Sequence, residues 1–196
     1  VAKKSSFKNM FLTLLLICFG GSAILGGVYL LTHGPIEAAQ TAKVNRALMG
    51  VLPEFDNTPS EECFEMDLEG QVIKAYPALF NGEPVGWAVE VVTTRGFGGP
   101  IQIMVGFLPD GTIFNSALIS HSETPGLGDK LDAEKSDFST QFKGKHPATF
   151  TLAVKKDGGM VDAITAATIS SRAFCHAMEV AYKAFQHIAT QEGGKV

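Results

Sequence analysis

Val161-Asp162-Ala163-Ile164-Thr165-Ala166-Ala167-Thr168-Ile169-Ser170-Ser171 joins a short apolar run to the longest amphipathic stretch in the polar part of the chain. From about Ser170 onward, Phe174, Met178, Ala181, Phe185 and Ile188 recur at four-three-four-three spacing. That period places them on one face of a helix of roughly five turns, so the stripe predicts a helix with a buried side. Thr165 and Thr168 stand where this helix begins, and their hydroxyls can cap amides that lack an intrahelical partner. The same terminus presents free N–H donors and a partial positive charge, which also makes it a seat for a phosphate. Ala166 and Ala167 add no bulk between the threonines, so a large phosphorylated ligand can approach the backbone there. A threonine hydroxyl is not nucleophilic at neutral pH and no base is near in sequence, so covalent attachment here calls for an outside catalyst. Capping and ligand attachment both fit the residues.

Upstream of this stretch the chain reads as strands. Residues 71–80 and 85–94 predict one hairpin across Asn81-Gly82-Glu83-Pro84, and 101–107 and 112–120 predict another across Leu108-Pro109-Asp110-Gly111. The four make an antiparallel meander. Val85, Trp87, Val89 and Val91 alternate with Gly86, Ala88, Glu90 and Val92, which puts the single Trp on the core face. Residues 150–154 and 160–163 predict a third hairpin across Lys155-Lys156-Asp157-Gly158-Gly159. Arg95-Gly96-Phe97-Gly98-Gly99-Pro100 fails the spacing of a dinucleotide fingerprint and precedes a strand, so it predicts a tight turn.

Between the second and third hairpins lies His121-Ser122-Glu123-Thr124-Pro125-Gly126-Leu127-Gly128-Asp129-Lys130. Its glycines let backbone N–H groups approach a planar or anionic ligand, and Glu123 and Thr124 can exchange hydrogen bonds with polar ring edges. A surface loop with a Pro-Gly turn explains the same residues.

The N-terminal block is of another kind. Residues 11–31 carry no charge, and 21 residues at 1.5 Å each cross a hydrocarbon core of about 30 Å. The block exceeds a signal-peptide core and no small-x-small cleavage site follows before Pro35, which predicts a retained anchor. Lys3, Lys4 and Lys8 precede it and the first charge after it is Glu37, so the expected orientation is N-terminus in the cytoplasm and domain outside. Pro35 fits the first turn of a separate linker helix ending before Pro53. The expected layout is a cytoplasmic segment over 1–10, a transmembrane helix over 11–31, a linker helix and connection over 32–60, and an extracytoplasmic domain over 61–196. The fold class is α+β: one anchor helix, then an antiparallel-sheet domain with flanking helices.

Without the three N-terminal lysines the chain has 13 basic and 20 acidic residues, about −7, and no basic stripe of the kind nucleic acid requires. The five histidines show no metal-ligand spacing, and no Gly-x-Ser-x-Gly elbow supports a hydrolase. Cys18, Cys63 and Cys175 are an odd count with no framework spacing, which predicts free thiols.

The anchored N-terminus, the 121–130 loop and the 162–171 stretch together resemble the G-subunit family of the Rnf electron-transport complex, over nearly the whole chain. The family is related to the C subunit of the sodium-pumping NADH:quinone reductase. The resemblance implies an FMN-binding domain with one FMN held covalently, through its phosphate, on the last threonine of a Ser/Thr-Gly-Ala-Thr motif; that position is Thr168. It implies that Glu123, Thr124, Pro125, Gly126, Leu127 and Gly128 border the flavin, with Thr165, Ala166 and Ala167 beside its phosphate. Ala166 stands where the family has glycine, so its methyl matters if that position needs positive φ. A separate flavin transferase makes the bond by the family's pattern, which answers the missing base. The implied role is electron relay in a membrane complex that passes electrons between ferredoxin and NAD while Na⁺ or H⁺ crosses the membrane. The implied partners are the other Rnf subunits. Two other readings fit the residues: an anchored FMN domain serving another reductase or a regulator, and a flavin-free structural subunit.

Overall fold

The computed structural model describes residues 6–68 and 70–192. Lys3 and Lys4, on which the expected orientation partly rests, lie outside them. Contacts divide the chain into two units, Val1–Ala42 and Lys43–Val196.

The first unit is helical. Helix α1 runs Phe7–Val51 with Pro35 inside it, so the break expected at Pro35 is absent and anchor and linker form one element. Proline removes one i→i−4 bond, and the exposed Ala, Glu and Gln residues that follow are strong helix formers that carry the helix on. Its apolar residues from Phe11 to Leu31 are exposed all round, as a helix long and apolar enough to cross a membrane requires.

The second unit is an antiparallel sheet clasped by helices on both faces. Strands β1 (Phe64–Leu68), β2 (Gln71–Phe80), β3 (Glu83–Thr93), β4 (Ile101–Phe107) and β5 (Ile113–His121) form a meander in chain order. Four of these strands are the ones the alternation predicts. Strand β1 is the addition: Phe64, Met66 and Leu68 alternate with Glu65 and Asp67, and the acids' low strand propensity hides that pattern.

Helix α2 (Thr168–Glu192) lies across one face of the sheet. Trp87, Val89 and Val91 pack with Ile103, Val105, Phe107 and the α2 stripe of Phe174, Met178, Ala181, Phe185 and Ile188. Trp87 meets the edge of Phe185 at a centroid distance of 6.0 Å, which places it in the core. The last turns of α1 cover part of the opposite face, where Ala47, Leu48 and Val51 pack on Tyr76, Ala78, Ala88 and Met104. Gly106 lets them come close: a Cβ there would lie 1.7 Å from the Val51 carbonyl oxygen.

The third hairpin does not form. Residues 150–163 make a compact loop with a 3-10 turn at Lys155–Asp157 and a single parallel bridge, Val154 to Val161. Phe150, Leu152, Val154 and Val161 are buried, so the apolar pattern reports core burial and not a ladder. Gly159 sits so close to Ala153 that a Cβ would fall 1.9 Å from its carbonyl oxygen, which folds the segment back on itself.

Candidate functional site

The turn that feeds α2 is built by its own sequence. The Ala167 amide donates to Ile164 O at 3.0 Å, closing a four-residue turn whose third residue, Ala166, has φ of 62°. Ser171, fully buried, pins it: its Oγ accepts from the Ile164 amide and donates to Ala167 O, each at 3.0 Å. Helix α2 then begins at Thr168, whose side chain is half-buried. The amides of Thr168, Ile169 and Ser170 donate to no described residue, so three aligned N–H groups face outward at the positive end of the helix.

The 121–131 loop closes over this terminus. Leu127 N–H donates to Thr124 O at 3.1 Å, with Pro125 second in the turn and Gly126 third at φ of 79°, the pattern of a type II turn. Glu123 is the hub. It is only 5% exposed, takes the Ser170 hydroxyl on Oε2 at 2.6 Å and the Gly98 amide on Oε1 at 3.1 Å. Its own amide donates to His121 Nδ1 at 3.1 Å. One carboxylate thus joins the glycine-rich loop, the 121–131 loop and α2. The glycines around it leave no room for a side chain: a Cβ at Gly96 would lie 2.6 Å from Oε1, and one at Gly128 would lie 2.4 Å from Oε2.

Between these three segments lies a cavity of about 320 Å³, within the lower range of ligand sites. Glu123, Thr124, Leu127, Gly128, Ala166, Ala167 and Thr168 line it, so seven of the ten predicted residues meet at one place. Pro125 and Gly126 do not line it; they form the turn that presents Leu127. Thr165 is exposed and lines a neighbouring cavity with Lys130, Gln141 and Asp162. Phe97, Ile169 and Ser170 complete the lining and were missed as site residues. Phe97 is 69% exposed at the tip of the glycine-rich turn, and with Leu127 and Ile169 it gives the mouth an apolar rim. The close approach of Gly98 to Ser122, where a Cβ would lie 2.0 Å from the carbonyl oxygen, and of Gly96 to Glu123 hold the turn that carries Phe97 there.

Two ion pairs fasten the segments around the cavity. Asp129 Oδ2 accepts from Lys135 Nζ at 3.0 Å, and the Gly126 amide and that ammonium hold its carboxyl below the ordinary value. Arg172 grips Asp157 with two bonds of 2.6 and 2.7 Å, fastening the 155–159 loop to the first turns of α2 and lowering the Asp157 pKa.

A five-stranded meander crossed by one long helix, with a cavity at the helix N-terminus, is here the architecture of an FMN-binding domain: residues 96–183 match the family of that description. The chain is 38% identical to the G subunit of the ion-translocating oxidoreductase complex from Shewanella piezotolerans, over 91% of this chain and 89% of that one. It is 35% identical to the protein of the same name from Vibrio atlanticus, over 86% and 85% of the two chains. The protein of that name from Yersinia pestis is 36% identical over 92% and 90%. The chain belongs to this G-subunit family.

Proposed function

We propose that the chain is the electron-transfer subunit of a membrane-bound, Rnf-type ion-translocating oxidoreductase complex and carries one FMN on Thr168 Oγ1 through a phosphoester. The observation that carries the reading is the start of α2: Thr168 is its first residue, its amide and those of Ile169 and Ser170 donate to no described residue, and the cavity opens directly over them. The residues fit the group. Aligned amides suit a phosphate, and the rim of Phe97, Leu127 and Ile169 suits the apolar faces of a flavin ring. Both Glu123 carboxylate oxygens are engaged by donors of the surrounding loops and helix, Ser170 and Gly98, so its role here is to position those segments.

When bound, FMN supplies one- and two-electron chemistry that no side chain here performs. The chain's own share is to hold the phosphate at Thr168, orient the ring against Phe97 and Leu127, and keep the site on the rigid end of α2. A covalent bond suits a domain outside the cytoplasm, where a dissociated cofactor would be lost by dilution. In this reading α1 is a single-pass anchor in the inner membrane, the N-terminus is cytoplasmic, and the domain is periplasmic or extracellular. The partners are the other complex subunits and, during maturation, a flavin transferase.

Ala166 bears on the flavin-free alternative. Its backbone already holds the left-handed conformation that glycine takes easily, at a strain of about 1–2 kcal/mol, and the residue is exposed where it lines the cavity, which stays open with the methyl in place. That favours attachment. Protein matured in its own host should run as an ultraviolet-fluorescent band on a denaturing gel, and the peptide containing Thr168 should carry the mass of FMN less one water. Thr168→Val should abolish both; a dark, unmodified band from the wild-type chain refutes the assignment.

A further inference from the structure

Strand β5 is an edge of the sheet, packed in part against the 3-10 turn Ser139–Phe142. At its start, the Ile113 amide donates to Lys145 O at 2.9 Å and the Gly144 amide to Ile113 O at 2.8 Å, as though a sixth strand began there. Beyond that point no backbone hydrogen bond from a described residue reaches the outer side of 115–121. A groove of about 580 Å³ runs along it, lined by every residue from 115 to 121. Its walls differ in sign. The end of α1 contributes Lys43 and Arg46 on one face of the sheet, and the segment after the buried Leu131 contributes Asp132 and Glu134 on the other. Ser116 lines the groove and is buried, 5% exposed.

From these features we infer that the outer side of β5 is the docking site for an extended strand of another subunit, with acidic side chains toward Lys43 and Arg46 and basic ones toward Asp132 and Glu134. Side chains of an added strand alternate between the two faces of a sheet, so a polypeptide of alternating charge meets both walls at once. A second copy of this chain paired antiparallel, as edge strands of a meander usually pair, does not satisfy the groove. Antiparallel pairing of β5 with its own copy keeps like faces together, bringing Lys43 and Arg46 toward their own counterparts. The groove ends at His121, whose Nδ1 holds the Glu123 amide, so the docked strand borders the segment that builds the flavin cavity. The inference rests on the reading of the chain as a subunit of a membrane complex.

Amide hydrogen exchange, followed in the purified complex and in the isolated full chain, tests it. The amides on the outer side of 115–121 should exchange at least tenfold more slowly in the complex, while those of the opposite edge strand β1 stay unchanged. Lys43→Glu combined with Arg46→Glu should lower retention of the chain in the complex at least tenfold and leave its fluorescent flavin band at full intensity. Equal exchange of 115–121 in complex and isolated chain, or protection in the isolated chain that grows with its concentration, overturns the inference. Unchanged retention of the charge-reversed variant also overturns it. A wild-type chain that copurifies with no other subunit overturns the complex reading as well, whereas intact copurification with an unprotected β5 overturns this inference alone.

Discussion

Ser170 Oγ donates to Glu123 Oε2 at 2.6 Å, joining two buried residues 47 positions apart in the chain. The bond ties the start of α2 to the loop that covers it, so the mouth of the cavity depends on it. Ser170→Ala leaves a buried carboxylate oxygen without its hydroxyl donor and should cost about 1–3 kcal/mol. A urea titration of the wild type and the variant measures the loss. Thr165→Ala, at an exposed position, should stay within about 0.5 kcal/mol.

Ala166 has φ of 62°, a conformation that costs a residue with a Cβ about 1–2 kcal/mol. Glycine avoids that cost and adds about 0.4–1 kcal/mol of unfolded-state entropy. Ala166→Gly should therefore stabilise the protein by roughly 0.5–1 kcal/mol, seen as a higher melting temperature. Flavin content per chain, read by absorbance of the denatured protein, should be equal or higher.

Gly126 and Gly128 separate two roles of glycine. A Cβ at Gly126 meets nothing within 4 Å, so Gly126→Ala should pay only for its φ of 79°, about 1–2 kcal/mol. A Cβ at Gly128 would lie 2.4 Å from Glu123 Oε2 and 2.7 Å from Ser170 Oγ. Gly128→Ala should break the Glu123–Ser170 bond, cost more than about 2 kcal/mol, and reduce flavin content. Equal losses for the two variants count against the clamp.

Burial foremost, then the Glu179 carboxylate, pushes the Cys175 thiol up to about 12, whereas Cys63 is exposed. The thiolate is the reacting species. Iodoacetamide at pH 8 should therefore modify Cys63 in the native protein and Cys175 only after denaturation, as peptide mass mapping will read.

Asp110, Asp129 and Asp157 all have carboxyl pKa values lowered by folding, Asp110 first through the Thr112 amide and Asp157 first through Arg172. A carboxyl whose folded pKa lies below its unfolded one contributes stability above the unfolded value, near 3.9, and loses it as the pH falls through the folded value. Unfolding free energy should thus drop below about pH 4. Asp129→Asn should flatten part of that drop; an unchanged pH slope shows that Asp129 is not among the groups responsible.

Local pattern carried much of the architecture. Period-2 alternation located β2 to β5, the apolar stripe located α2, and an uncharged run located the apolar part of α1. Local chemistry likewise placed the Pro125-Gly126 turn and brought the start of α2 to the Thr165–Ser170 stretch, within which the structure begins it at Thr168. Where two signals shared one origin, the pattern misled. Phe150, Leu152, Val154 and Val161 are apolar because they are buried under α2, and burial leaves the same mark whether or not a ladder forms.

By itself, then, the sequence determined the membrane-length helix, the meander, the buried side of α2 and the Thr165–Ser170 stretch in which it starts, because each follows from residues within a few turns or strands of one another. Only the tertiary structure decided that Phe97 reaches the cavity, that Glu123 joins three separate segments, and that a groove runs along the outer side of β5 between oppositely charged walls. Those relations depend on backbones meeting where no Cβ intervenes and on buried polar groups finding partners far away in sequence, and neither leaves a period in the chain.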